Sequence, residues 1–186
     1  MKYQEITILP DEGISINYLW SKIYLILHIA LADYKNKTGK QDIGISMPGL
    51  AKDHMGNKIR IFGEEEELKT LHLKERLERY EDYTHVTKIR DLPGIIKGYA
   101  IYSRYQPENS IESKARRYAK RHETAYEEAL TFIKRKPNKK YPYIMMTSMS
   151  TGQKFHLCIN KKAATQTECS DFSTYGLSAA ASVPEF

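Results

Sequence analysis

The sequence predicts an α+β protein in two parts, for three reasons. Short runs rich in Ile, Thr, Tyr and Phe alternate with longer segments whose apolar residues recur at helical spacing. Over the first half those runs follow the order strand, helix, strand, strand, helix, strand. An Asp91-Leu92-Pro93-Gly94 break then separates this series from a second half of different charge.

Each element has its own local signal. Residues 3–9 (Tyr-Gln-Glu-Ile-Thr-Ile-Leu) read as a first strand, closed by Pro10 and the Asp11-Glu12-Gly13 turn. Residues 16–34, rich in Leu, Ile and Ala, read as a helix. Residues 44–48 and 58–62 are two short strands joined through a Gly-containing connection, so they should pair. The four glutamates at 64–67 suit the positive end of a helix dipole, and a second helix is expected from there to about residue 80. A strand through 83–89 completes the series. This is the ferredoxin-like, or RRM-like, order, in which helices cover one face of a sheet. It is assigned to residues 1–93, and residues 94–186 to a mixed α/β C-terminal domain carrying a basic helix.

The second half opens with a strand at 99–104 that leads into that helix. A further helix over 125–134 is expected to be capped by Thr124 with Glu127, and 137–142 reads as a basic loop. Strands at 143–147 and 154–159 flank the turn Ser148-Met149-Ser150-Thr151-Gly152-Gln153.

Charge is concentrated in this half. The chain carries a net +6, but residues 97–141 alone hold twelve Lys or Arg against five Asp or Glu, +7, leaving the remainder at −1. Such local charge points to a binding surface rather than to general solubility. Its centre is residues 104–122. Pro107 bars earlier helix entry, and Asn109 with Glu112 three residues on makes a capping pair. At about 100° per residue, Lys114, Arg116, Arg117, Lys120 and Arg121 sweep one side, while Ile111, Ala115, Tyr118 and Ala119 gather on the other. Cationic runs of this kind are most often solvated helix faces. Here, however, few acids interleave with the bases at spacings of three or four, so a polyanionic partner would relieve their repulsion.

Several chemistries lack their signatures. The sequence has no GxxxxGK[ST], GxGxxG or HExxH, and no Cys/His cluster of zinc spacing, so no cofactor and no metal is expected. Cys158 and Cys169 lack CxxC spacing and no signal peptide precedes them, which suits reduced thiols and a cytoplasmic protein. The most apolar run, residues 23–32, contains His28 and falls well short of the ~20 residues that span a bilayer. Taken alone, His28 reads as a packed helix residue, and Ser148 and Tyr175 carry still less signal.

An ordered set of motifs changes their weight. Leu27-His28-Ile29-Ala30-Leu31, Ile43-Gly44-Ile45-Ser46-Met47-Pro48, Ser103-Arg104-Tyr105-Gln106, Ser150-Thr151-Gly152-Gln153-Lys154-Phe155, Tyr175-Gly176-Leu177-Ser178 and Val183-Pro184-Glu185-Phe186 run nearly the whole chain. In order and spacing they resemble the subtype I-F CRISPR repeat-cleaving endoribonuclease family. The resemblance implies an enzyme that binds the hairpin of CRISPR repeat RNA and cuts at the 3′ foot of its stem without a metal ion. It also implies 2′,3′-cyclic phosphate and 5′-hydroxyl ends, retention of the product guide RNA, and assembly with other subunits of a type I-F surveillance complex. His28, Ser148 and Tyr175 fall at the family's catalytic positions. Arg104 and Gln106 fall where it reads base pairs at the stem foot. Arg116, Arg117, Lys120, Arg121 and His122 lie on its groove-lining helix, and Phe155 takes the place of an aromatic that stacks on the last base pair. Three positions depart from the pattern: Lys120 and Thr147 replace arginines, and Glu185 replaces an aromatic. The alternative is a non-catalytic structured-RNA-binding subunit of a ribonucleoprotein complex.

The residues suit such chemistry. RNA carries its own nucleophile, the 2′-hydroxyl, so an enzyme need only deprotonate it, align it and stabilise the departing oxygen. Imidazole titrates near neutrality and is the natural base.

Overall fold

The computed structural model describes residues 1–106, 111–135 and 141–186, so Pro107, the Asn109 cap and most of the 137–142 loop lie outside the described residues. The first sheet is built around β1 (Lys2–Ile8), whose Ile6 and Ile8 point fully inward. β3 (Lys58–Gly63) lies antiparallel along one edge of β1, with Lys2 opposite Gly63 and Thr7 opposite Lys58. β4 (Thr84–Val86) and the two-residue β5 (Arg90–Asp91) share the other edge, and β2 (Gly44–Ser46) pairs outside β3. The resulting order, β2-β3-β1-β4, is that of a ferredoxin-like sheet. Of the strand expected over 83–89 only 84–86 forms, and the separate two-residue β5 follows beyond it.

α1 (Ile16–Thr38) runs longer than its apolar pattern suggested because both ends are capped. Ser15 Oγ accepts from the Tyr18 N–H at 3.3 Å, and Gly39, at φ 74°, turns the chain so that its N–H closes on Lys35 O at 2.8 Å. The helix expected over 64–80 is broken instead. α2 (Glu65–Thr70) starts with the Glu64 N–H bonded to Glu67 Oε2, but His72 adopts a left-handed φ of 46°, and the chain restarts as α3 (Leu73–Arg76) and a 3-10 segment, Glu78–Tyr83. The break lets Leu68, Leu71, Leu73 and Leu77 all reach the core, which one straight helix of this sequence would not do.

The second sheet has the order β7-β8-β6-β9: β6 (Gly98–Tyr105), β7 (Tyr143–Thr147), β8 (Lys154–Ala164) and β9 (Val183–Glu185), all antiparallel. β9 was not foreseen, since three residues with a central proline give no strand pattern. Proline is tolerated there because β9 is an edge strand. α4 (Ile111–His122) and α5 (Tyr126–Arg135) pack on each other through Ala115 and Ala129, both buried. The expected Thr124 cap does not form: among the described residues its buried Oγ1 has no hydrogen-bond partner, and its N–H bonds back to Ala119 O.

One apolar core joins the two sheets. α1 packs against both β1 and β7, placing Trp20, Ile23, Tyr24 and Leu27 among Ile6, Ile8, Ile144, Met146 and Leu157. Close approach is needed where the halves meet: a Cβ at Gly44 would lie 2.5 Å from the Phe172 ring and 2.7 Å from Val183. Among the described residues no helix is long and apolar enough to cross a membrane.

Candidate active site and nucleic-acid interface

The site is assembled from α1, the 173–176 turn, the end of β6 and the β7–β8 hairpin. His28 is half-buried on α1, and its ring stacks on Tyr175 with centroids 4.1 Å apart and planes 3° from parallel. Its Nδ1 lies 2.8 Å from Thr174 O. A carbonyl oxygen only accepts, so Nδ1 carries the proton of that bond. In the neutral ring, Nε2 then keeps its lone pair and is the basic nitrogen.

One helical turn earlier, the hydroxyl of Tyr24 donates to Tyr175 O at 2.8 Å. Burial, reinforced by Tyr175, pushes the Tyr24 phenol well above its ordinary range, so it stays a donor. Two side chains four residues apart on α1 therefore hold two successive carbonyls of one turn. Within that turn the Gly176 N–H donates to Ser173 O at 2.8 Å and the Tyr175 N–H to Ser173 Oγ at 3.3 Å. Gly176 sits at φ 67°, and a Cβ there would come within 2.6 Å of Ile45 Cγ2. Its carbonyl in turn accepts from the Ile45 N–H at 3.0 Å, pinning the turn to β2. Tyr24 and Thr174 have no place in the sequence reading, and Gly176 enters it only as part of the Tyr175-Gly176-Leu177-Ser178 motif. The one available signal was the i, i+4 spacing of Tyr24 and His28.

Arg104, exposed near the end of β6, lies 5.3 Å from the Phe155 ring centroid and 5.9 Å from that of Tyr175. His28, Tyr175, Arg104 and Phe155, far apart in sequence, thus form one cationic and aromatic patch. Gln106 is exposed one residue past β6. Ser148 follows β7, and its hydrogen bonds stay within its own turn. Its Oγ accepts from the Thr151 N–H at 3.3 Å and meets Ser150 Oγ at 3.2 Å, while its backbone bonds Gln153 and Gly152 at 2.8 Å. Its link to the site is β7, which packs on α1.

The basic helix follows β6. Arg116, Arg117, Lys120, Arg121 and His122 are exposed on α4, Ala115 is buried, and Tyr118 and Ala119 are half-buried, in line with the faces expected from the sequence, but Lys114 of the expected cationic side is half-buried too and the Ile111 side chain lies outside what is described. Tyr118 stacks on His122 at 4.2 Å and on Phe132 of α5 at 4.7 Å, which ties the outer helices together.

One of the three departures, Glu185, finds a structural role. Glu185 accepts from the Tyr102 hydroxyl at 2.7 Å and pairs with Lys161, so its carboxylate crosslinks β9, β6 and β8. The adjacent Phe186 ring packs edge-on against Tyr3 at 5.0 Å beneath the guanidinium of Arg60 at 3.9 Å. Thr147 is exposed at the end of β7, and nothing in its surroundings explains the replacement of an arginine. Among the described residues no group of three or more His, Cys, Asp or Glu is arranged to hold a metal ion.

A ferredoxin-like half joined through one core to a second sheet, with a stacked His–Tyr pair beside Arg104 and an exposed cationic helix further along the chain, defines a class of α+β proteins with a strongly cationic surface. The chain belongs to the CRISPR-associated protein family Cas_Csy4, whose model matches residues 3–186. It is 29% identical over 187 residues to a CRISPR-associated endonuclease Cas6/Csy4 of Escherichia coli (strain UTI89 / UPEC), covering 99% of this chain and 98% of that relative. A protein of the same description from Pseudomonas aeruginosa (strain UCBPP-PA14) is 31% identical over 192 residues, with coverage of 99% and 98%.

Proposed function

We propose that the protein is a metal-independent endoribonuclease that binds the hairpin of CRISPR repeat RNA, cuts at the 3′ foot of the stem and keeps the product guide RNA. The observation that carries the reading is the His28 ring, its Nδ1–H committed to Thr174 O and one face covered by Tyr175, which leaves Nε2 as the basic nitrogen. In this reading Nε2 takes the proton of the 2′-hydroxyl, the O2′ attacks phosphorus, and the P–O5′ bond breaks. The departing O5′ gains a proton, giving a 2′,3′-cyclic phosphate and a 5′-hydroxyl. Ser148 holds the ribose at the cut. Tyr175 confines the imidazole to one plane.

Recognition divides between two elements. The α4 cations contact phosphates and fix the hairpin, whereas Arg104 and Gln106 read bases where the stem opens, because the A-form major groove is too narrow to be read along its length. Phe155, beside Arg104, offers its ring to the last base pair. Residues 1–93 are the ferredoxin-like domain that carries His28, and residues 94–186 the RNA-binding domain with the basic helix. The protein works in the cytoplasm with other subunits of a type I-F surveillance complex.

The test is single-turnover cleavage of a labelled repeat hairpin in EDTA, with the product ends identified. His28→Ala should slow the cut by roughly 10²- to 10⁴-fold. A hairpin lacking the 2′-hydroxyl at the scissile nucleotide should bind and stay whole. Cleavage that requires added metal, or an undiminished His28→Ala enzyme, refutes the mechanism; tight binding without product selects a non-catalytic RNA-binding subunit.

A further inference from the structure

We propose that Tyr24 is a positioning residue for cleavage, acting through the backbone of the 173–176 turn. The proposal rests on the reading of His28 as the base. Tyr24 is fully buried, and its hydroxyl makes one hydrogen bond, to Tyr175 O at 2.8 Å. The neighbouring carbonyl, Thr174 O, is the partner of His28 Nδ1 at the same distance. Tyr24 and His28 share a face of α1, four residues apart, so the helix grips consecutive peptide units of a turn 146 residues further along the chain.

This clamp fixes two things together. The Tyr175 carbonyl sets where residue 175 leaves the turn, and hence the plane in which its ring meets the imidazole. The Thr174 carbonyl sets which ring nitrogen of His28 is protonated. When the Tyr24 hydroxyl is lost, the Tyr175 carbonyl is left without that donor in a part-buried setting, and the turn can rotate toward another partner. Thr174 O moves with it, and Nδ1–H loses its fixed acceptor. The ring then samples the other tautomer, in which Nε2 carries the proton and cannot act as base.

The experiment compares Tyr24→Phe with Tyr34→Phe. Tyr34 lies on the same helix, is buried to a similar degree and spends its hydroxyl on Asp42 at 2.8 Å, away from the turn. Each variant is scored for single-turnover cleavage of the repeat hairpin, affinity for an uncleavable 2′-deoxy hairpin, and the ¹⁵N spectrum of the His28 ring. Tyr24→Phe should cut roughly 3- to 10-fold more slowly, the worth of one neutral hydrogen bond. Its hairpin affinity should be unchanged, and the His28 signal should move from the Nδ1–H form toward a mixture. Tyr34→Phe should leave all three readouts at wild type. The proposal falls if Tyr24→Phe cuts at the wild-type rate with an unaltered ring spectrum, if both variants slow alike, or if the loss follows hairpin affinity. An active His28→Ala enzyme would remove His28 as the base, and the ring spectrum would still decide whether Tyr24 holds the turn.

Discussion

Gly176→Ala tests the geometry of the site most directly. The native residue has φ 67°, a left-handed conformation that costs an L-residue about 1–2 kcal/mol. The added Cβ would also stand 2.6 Å from Ile45 Cγ2 and 3.2 Å from Cγ1. Ile45 is fully buried and flanked by β3, so it has little freedom to retreat, and overpacking of this kind adds about 1–3 kcal/mol. The two costs together come to about 2–5 kcal/mol, a fall in Tm of about 4–20 °C for a chain of this size. Thermal denaturation followed by circular dichroism measures the loss, and single-turnover cleavage follows the turn. Gly176→Asn separates the two costs, since Asn tolerates the left-handed region better than Ala yet keeps the Cβ contact. It should fall between wild type and Gly176→Ala in Tm. A Gly176→Ala protein that melts within about 2 °C of wild type would refute the reasoning, because neither the backbone conformation nor the contact would then be constraining.

Other outcomes follow from particular contacts. Arg117→Ala and Arg121→Ala should each flatten the log–log salt dependence of hairpin binding by about 0.9, whereas Arg104→Ala should relax discrimination among stem-foot sequences; identical behaviour of all three would void the division between helix and strand end. Thr124→Val removes a buried hydroxyl that has no hydrogen-bond partner among the described residues, so chemical denaturation should give equal or greater stability, and a clear loss would mean the hydroxyl is satisfied after all. Burial raises the Glu5 carboxyl, but hydrogen bonds from Arg60 and Lys58 outweigh it and leave the group below its ordinary range. Its stabilising share is therefore present above the unfolded-state pKa of about 4.3 and is lost as pH falls through the lower folded value. Glu5→Gln should accordingly flatten the stability–pH curve below about pH 4.3, seen in urea titrations at stepped pH.

Much of this protein is legible in the sequence because it is written in local chemistry. Period-two runs at β1 and β3, the apolar stretch of α1 and the hairpin signals around Ser148 each act within a few residues. Their order alone points to a ferredoxin-like half. The two faces of α4 follow from residue spacing on a helix, and the concentration of cations there is a matter of counting.

Other features depend on what lies across space. The break at His72 arises because four leucines must reach one core, a demand that no propensity encodes. Thr124 has the identity of a cap but lies where its hydroxyl meets no donor or acceptor among the described residues. β9 exists because β6 offers a free edge to a three-residue segment that is no strand by itself. The His28 site is decided in the same way. The sequence determined that a histidine stands on an apolar helix and a tyrosine before a glycine near the other end of the chain. Only the tertiary structure decided that they stack, that Thr174 O holds one ring nitrogen and that Tyr24 holds the next carbonyl, because those bonds join groups 146 and 151 residues apart.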